Sequence, residues 1–270
     1  MKKARSAIIA LVIAGLFAAV LAGCGSQATK ADEDKKQTLL ETIKKRGTIK
    51  IGTEGTYPPF TFKNDKGELE GFDVDISNEV AKRIGVKAEF VPTEWKAMFA
   101  GLDSERFDVI ANQVTINEKR LEKYDFSAPY TVSGAQVVVN KDTAGINGLE
   151  DLKGRKVGVT QGSNWDEIAK KAGANIQYYK GANEIFADLE AKRIEATVND
   201  RLFIAEYLLK NPSQNLKLVG KTFDEAKMGL AFRKGSPELI EAVNKALQEI
   251  QADGTYLKIS KKWFGEDVSK

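Results

Sequence analysis

From Thr38 onward the apolar positions switch repeatedly between two periods. A period of two marks a half-buried strand and a period near 3.6 an amphipathic helix. Thr38-Leu39-Leu40-Glu41 has capping-box spacing, and Gly47 suits the stop of a short helix. Thr48 to Thr53 alternates as a strand does. Thr56-Tyr57-Pro58-Pro59-Phe60 predicts a loop, because paired prolines fit neither a helix nor a central strand. Phe72, Ile76, Val80 and Ile84 recur every fourth residue and Gly85 follows, which predicts a helix and its C-cap. Val86 to Val91 and Phe107 to Asn112 read as strands around a helix over Trp95 to Leu102, and Asn117 can cap a further helix.

The alternation resumes after Tyr130 to Asn140, a long strand-like stretch. Strands are predicted at Lys156–Thr160, Asn175–Tyr179, Ile194–Asn199, Leu216–Val219 and Met228–Phe232. Helices are predicted around Trp165–Ala172, Ala182–Ala191 and Leu202–Leu209. Ser236-Pro237 opens a long helix with a capping serine and a proline at its first position, and a last helix carries Leu257, Ile259, Trp263 and Phe264. Strands alternating with helices imply α/β architecture with mostly parallel sheets covered by helices. Two such series occur. Tyr130–Asn140 is expected to cross from one to the other, and Met228–Phe232 to cross back.

The N-terminal residues follow a different plan. Lys2, Lys3 and Arg5 precede an apolar run from Ala7 to Val20, then Leu21-Ala22-Gly23-Cys24. That is the layout of a secretory signal, and the run is short for a spanning helix. The Leu-Ala-Gly-Cys ending resembles the lipobox of bacterial lipoproteins, which implies cleavage before Cys24 and a lipid on its sulfur. Residues 1–23 are thus expected to be a signal peptide. Residues 24–38, polar and rich in Lys, Asp and Glu, read as a flexible tether.

Composition narrows the chemistry. The chain has no histidine, and Cys24 is its one cysteine. An internal disulfide, a Ser/His/Asp triad, a Cys/His pair and a histidine-based zinc site are therefore excluded. The formal charge of +3 comes from the signal segment: without Lys2, Lys3 and Arg5, 38 basic residues face 38 acidic ones. Nucleic-acid binders carry a basic excess, so no nucleic-acid partner is expected.

Several segments in order resemble one family. They are Gly52-Thr53-Glu54-Gly55-Thr56-Tyr57-Pro58-Pro59-Phe60, Gly71-Phe72-Asp73-Val74-Asp75, Thr115–Arg120 with Tyr124-Asp125-Phe126-Ser127, Asp151–Gly154 with Val157-Gly158-Val159 and Gly162-Ser163, Asp253-Gly254-Thr255, and Trp263-Phe264-Gly265. The chain resembles the solute-binding proteins of polar-amino-acid ABC importers. Glu54–Phe60, Asn112–Arg120 and Val198–Arg201 bring it near the cystine-binding members. The resemblance implies a two-lobe, type II periplasmic-binding-protein-like fold with two hinge strands: lobe 1 over 39–133, lobe 2 over 134–226, and a return strand with C-terminal helices of lobe 1 over 227–270. It implies capture of an L-amino acid, with L-cystine as first choice and glutamine or another polar amino acid as alternatives. The expected partners are an ABC permease, its ATPase subunit and a lipid membrane reached through Cys24, the cell membrane rather than an outer membrane. A monomer without cofactor or metal is expected.

A zwitterion must have both charges neutralised when it is buried. Arg120 matches the family's carboxylate-binding arginine, whose planar fork suits a carboxylate. Asn112, Gln113 and Thr115 are expected to supplement it, the two amides reaching the far end of a long polar ligand. Gly162, Ser163 and Asn164 open a helix whose N–H groups favour an anion. Asp200 matches the ammonium-binding acid and Glu54 is a second candidate. Tyr57 and Trp95 match aromatics placed against the ligand. Two other classes stay open: an enzyme on this fold using Glu54 or Asp200 as a raised-pKa acid, and a sensory ligand-binding subunit.

Overall fold

The computed structural model describes residues 37–270. The signal segment, Cys24 and the tether up to residue 36 lie outside the described residues. Among the described residues no helix is long and apolar enough to cross a membrane.

Two five-stranded sheets carry the fold. The first has the order β5 (Lys87–Pro92), β1 (Thr48–Thr53), β6 (Val109–Ile110), β13 (Ala231–Arg233), β7 (Tyr124–Phe126). The second has the order β10 (Asn175–Tyr179), β9 (Lys156–Thr160), β11 (Ala196–Asp200), β8 (Thr131–Asn140), β12 (Leu216–Met228). Their plans match. Three strands run parallel on one side, and the fourth is antiparallel to both its neighbours. Consecutive parallel strands are joined through helices, as parallel pairing requires. A small antiparallel sheet of β2 (Thr56–Tyr57), β3 (Thr61–Lys63) and β4 (Leu69–Glu70) sits beside the first sheet.

The helices follow the expected pattern. Helix α1 (Leu39–Arg46) has the complete capping box at Thr38 and Glu41, and ends on left-handed Gly47. Helix α2 (Phe72–Ile84) buries Phe72, Ile76 and Val80. Its entry needs Gly71: a Cβ there would lie 2.2 Å from the Phe60 carbonyl oxygen. Gly52 in β1 similarly leaves room for the ring of Phe107, which would stand 2.5 Å from a Cβ. Next in chain order come α3 (Trp95–Asp103), the single turn α4 (Glu118–Leu121), and α5 (Asn164–Lys171), α6 (Ala182–Glu190) and α7 (Arg201–Lys210) around the second sheet. The C-terminal helices α8 (Pro237–Ala252) and α9 (Thr255–Phe264) pack on α2 and on each other, so the chain ends against its first sheet.

Three elements differ from expectation. The Thr56–Phe60 loop contains the two-residue strand β2, paired through Thr56↔Phe62 and Tyr57↔Thr61; Pro58 and Pro59 occupy its turn, where no ladder N–H is needed. Met228–Phe232 is not one strand. Met228 ends β12, which pairs with β8 along its length, and β13 begins at Ala231 in the other sheet. Register shifts between Val219 and Ala226 break the alternation that would have shown β12 as one strand. The strand expected over Phe107–Asn112 is paired only at Val109 and Ile110, after which the chain leaves the sheet.

Candidate ligand-binding site

Carboxyl ends of parallel strands are where open α/β sheets place ligands, and here they converge on one cleft. Glu54 follows β1 and Asn112 and Gln113 follow β6 in the first sheet; Thr160 ends β9 and Asn199 and Asp200 end β11 in the second. Trp95 and Tyr57 line the cleft from the first sheet's side, and Ser163, Asn164 and Trp165 from the second's. Thr56, Ala182 and Met228 complete the wall.

Eight of the expected site residues thus face one cavity: Glu54, Tyr57, Trp95, Asn112, Gln113, Ser163, Asn164 and Asp200. Thr115, Arg120 and Gly162 do not line it. Gly162 is exposed, and its N–H donates to Asp166 Oδ2 at 3.1 Å. Thr115 and Asn164 line the adjoining groove, and Thr115 forms an isolated bridge to Met228. Arg120 lies behind Trp95, its guanidinium carbon 5.3 Å from that ring and 5.5 Å from Phe99. Its Nη1 donates to the Thr115 carbonyl at 2.9 Å. Among the described residues it makes no ion pair; Glu167 is paired with Lys119 instead. Burial lowers its pKa to about 10, so the buried cation stays charged near neutrality.

The amides are tied down rather than free. Asn112 Nδ2 donates to Glu54 Oε2 at 2.7 Å, and its Oδ1 accepts from the Glu54 N–H at 2.7 Å. Asn112 therefore aims Glu54 with both ends of its amide. Gln113, in the left-handed region at φ 49°, is held by Asp73, which sequence reading missed. Only the Gly-Phe-Asp-Val-Asp motif had marked that acid. Burial raises Glu54 to a pKa of about 7 and Asp73 to about 7, against the donors that contact them. Burial raises Asp200 to about 6, although Oδ1 caps α7 through the N–H groups of Leu202 and Phe203.

Side-chain polar atoms that are buried without a partner cluster here. Gln113 Oε1, Asn164 Nδ2 and Asp200 Oδ2 belong to cavity-lining residues, and Thr115 Oγ1 to the adjoining groove. An unsatisfied buried group costs about 1–3 kcal/mol, so such a concentration is expected where a polar ligand completes the bonding. The set offers two acceptors that suit an ammonium and, in Asn164 Nδ2, a donor that suits a carboxylate.

Direct contacts also span the cleft. Tyr57 Oη donates to Asn199 Oδ1 at 2.7 Å, and its ring stacks on Phe203 at 4.6 Å. Lys119 pairs with Glu167, and Lys180 with Glu94 at 3.7 Å. The two sheets are thus drawn together in a closed arrangement.

A family model described as bacterial extracellular solute-binding proteins, family 3, matches residues 49–266. The chain belongs to that family. It is 44% identical to the L-cystine-binding protein TcyJ of Escherichia coli (strain K12), over 95% of this chain and 96% of that one. An ancestral arginine-binding protein, solved bound to arginine, is 44% identical with a TM-score of 0.78, covering 82% of this chain and 99% of its own. The L-cystine solute receptor of Neisseria gonorrhoeae, solved unliganded and open, is 40% identical but has a TM-score of 0.59, covering 86% and 99%. Similar identity with a lower score agrees with the cross-cleft contacts: the family member described here is closed.

Proposed function

We propose that this family-3 protein is the extracytoplasmic receptor of an amino-acid ABC importer, and that it binds its ligand by closing two lobes around the α-carboxylate and α-ammonium. One observation carries the reading: buried groups of opposite preference without a partner meet in one cleft, Gln113 Oε1 as acceptor and Asn164 Nδ2 as donor, beside the buried Asp200 carboxylate, which the Ser133 hydroxyl and two N–H groups of α7 face but no cation balances among the described residues. Arg120, a buried cation without a carboxylate partner among the described residues, supplies the anchor for the carboxylate. An unpaired buried charge is costly, and a bidentate carboxylate offsets that cost.

L-Cystine is the ligand we infer first, supported by the similarity to the L-cystine-binding protein TcyJ and the L-cystine receptor of N. gonorrhoeae. The reading is binding without turnover. It is supported by the binding-protein relatives and by a composition without histidine. We further propose that Cys24 carries the lipid that holds the chain at the outer face of the cell membrane. Replacing Cys24 by Ser should release the protein to the soluble extracytoplasmic fraction.

Titration calorimetry of the purified, ligand-stripped protein against the common amino acids and L-cystine tests the main reading. Saturable one-site binding in the micromolar range or tighter is expected, about −8 kcal/mol or better, with no product after prolonged incubation. Failure of every amino acid to bind would refute it.

A further inference from the structure

Gln113 occupies the cleft wall with an amide that could present either a carbonyl oxygen or an NH2 group to a ligand. Which end faces the cleft is decided below it. Asp73, in the first turn of α2 and 1% exposed, accepts from the Gln113 N–H at 2.9 Å and from Gln113 Nε2 at 2.6 Å. Both carboxyl oxygens act as acceptors in this arrangement, Oδ2 from the N–H and Oδ1 from Nε2, which fixes the NH2 end inward. Thr131 Oγ1 stands 3.3 Å from the same nitrogen, and Tyr130 Oη donates to Asp73 Oδ1 at 2.9 Å. Tyr130 is itself fully buried, and its carbonyl accepts from the hydroxyl of Tyr256. The carboxylate is thus held from two further elements. Gln113 Oε1 is left buried with no partner among the described residues. The left-handed backbone at Gln113, uncommon outside glycine, is stabilised by the same carboxylate through the Gln113 N–H.

We propose that Asp73 is a positioning residue that orients the Gln113 amide so that its carbonyl oxygen faces the ligand, making the cleft select for an ammonium over a hydroxyl at that point. The proposal rests on the amino-acid-binding reading above. A fixed acceptor matches the donors of an ammonium, while a freed amide can rotate and offer its NH2 to a hydroxyl oxygen. Asp73 then sets selectivity without touching the ligand.

The test is a ratio of affinities measured by calorimetry on the full-length protein: L-cystine against 3,3′-dithiobis(2-hydroxypropanoate), its counterpart with hydroxyls for ammonium groups. Asp73→Asn, which can donate to Oε1 and turn the amide round, is expected to shrink the wild-type preference for cystine by about tenfold or more. That loss is of the order of a charge-assisted bond. Asp73→Asn combined with Gln113→Glu exchanges carboxylate and amide across the contact and should restore much of the preference, which a merely structural role would not do. If Asp73→Asn lowers affinity for both ligands equally, or leaves the ratio unchanged, the proposal is wrong. Should Asp73→Asn not fold, Gln113→Leu, with Asp73 intact, must lose the same preference; an unchanged ratio there also overturns it. If the wild-type protein ignores cystine, that result refutes the ligand choice alone, and the comparison is made with L-arginine and its 2-hydroxy analogue.

Discussion

Glu54 and Asp200 face one cleft from different sheets, and neither makes an ion pair among the described residues. Burial raises their pKa values, to about 7 and about 6. An ammonium placed beside them favours the ionised forms, so binding should expel protons at pH values just below those pKa values. The sign follows: affinity falls as pH drops from about 7 toward 5, because protons then compete with the ligand's positive charge. Calorimetry at pH 6.5 in buffers of different ionisation enthalpy should show net proton release, and Glu54→Gln should reduce both that release and the pH dependence. Arg120 predicts a second outcome. Lysine in its place keeps the charge but loses the fork and the stacking on Trp95 and Phe99, so Arg120→Lys should weaken binding at least about tenfold. Calorimetry at constant pH checks it. Glu54 and Asp200 were legible as cleft residues because charged residues at strand ends, inside known motifs, stand out in sequence, whereas Arg120, marked by the same signal, lies against Trp95 outside the cleft lining. Gln113's orientation was not legible, since the residue that sets it lies 40 positions away and meets it only through folding.

Elements were legible where periodicity is local. The helices over Phe72–Ile84 and Pro237–Ala252 repeat an apolar stripe with a clear stop or start, and both formed as the pattern predicts. β12 was obscured because its register shifts scramble alternation, and β2 because a two-residue strand has no period to detect. The β2 turn matters nevertheless, for it carries Tyr57 across to α7. Burial raises the Tyr57 hydroxyl well above its ordinary pKa, so it remains a donor to Asn199 Oδ1, which also accepts from the Asp200 N–H. The bond therefore joins the closing contact to the start of the helix that Asp200 caps. Tyr57→Phe keeps the stack on Phe203 and removes this one bond, worth roughly 0.5–1.5 kcal/mol. A several-fold loss of affinity is expected. In a double-mutant cycle, Asn199→Ala should cost more than Tyr57→Phe, since it also removes the bond from the Asp200 N–H, and the combined loss should fall short of the sum because both changes remove the Tyr57–Asn199 contact.

At the scale of the molecule, the crossing strands set what the ligand can do. β8 leaves the first sheet's edge at Thr131 and β12 returns at Met228, paired at their ends through Thr131↔Met228, with Thr115 bridged to Met228 at the same point. This paired ribbon joins the two sheets, and the proposed closure would turn about it. In the proposed binding mode, a ligand held by Arg120 and Gln113 on one side and by Asp200 and Asn164 on the other would contact both halves at once, so its binding free energy would stabilise the closed state as a unit. At a ligand concentration 100 times Kd that stabilisation is about 2.7 kcal/mol. Amide hydrogen exchange with and without saturating ligand should therefore show added protection on both faces of the cleft, around residues 54–57 and 112–120 and around residues 163–166 and 199–203. The ribbon of β8 and β12, already paired along its length, should change little. Protection confined to one face would mean that the ligand sits on one lobe without bridging, and closure would then rest on the Tyr57 bond and stack, the Lys210 contact with Phe62, and ion pairs such as Lys119–Glu167, Glu94–Lys180 and Arg201–Glu266. Exposed ion pairs of that kind contribute about 0–1 kcal/mol each, too little to hold the lobes together as firmly as a bridging zwitterion.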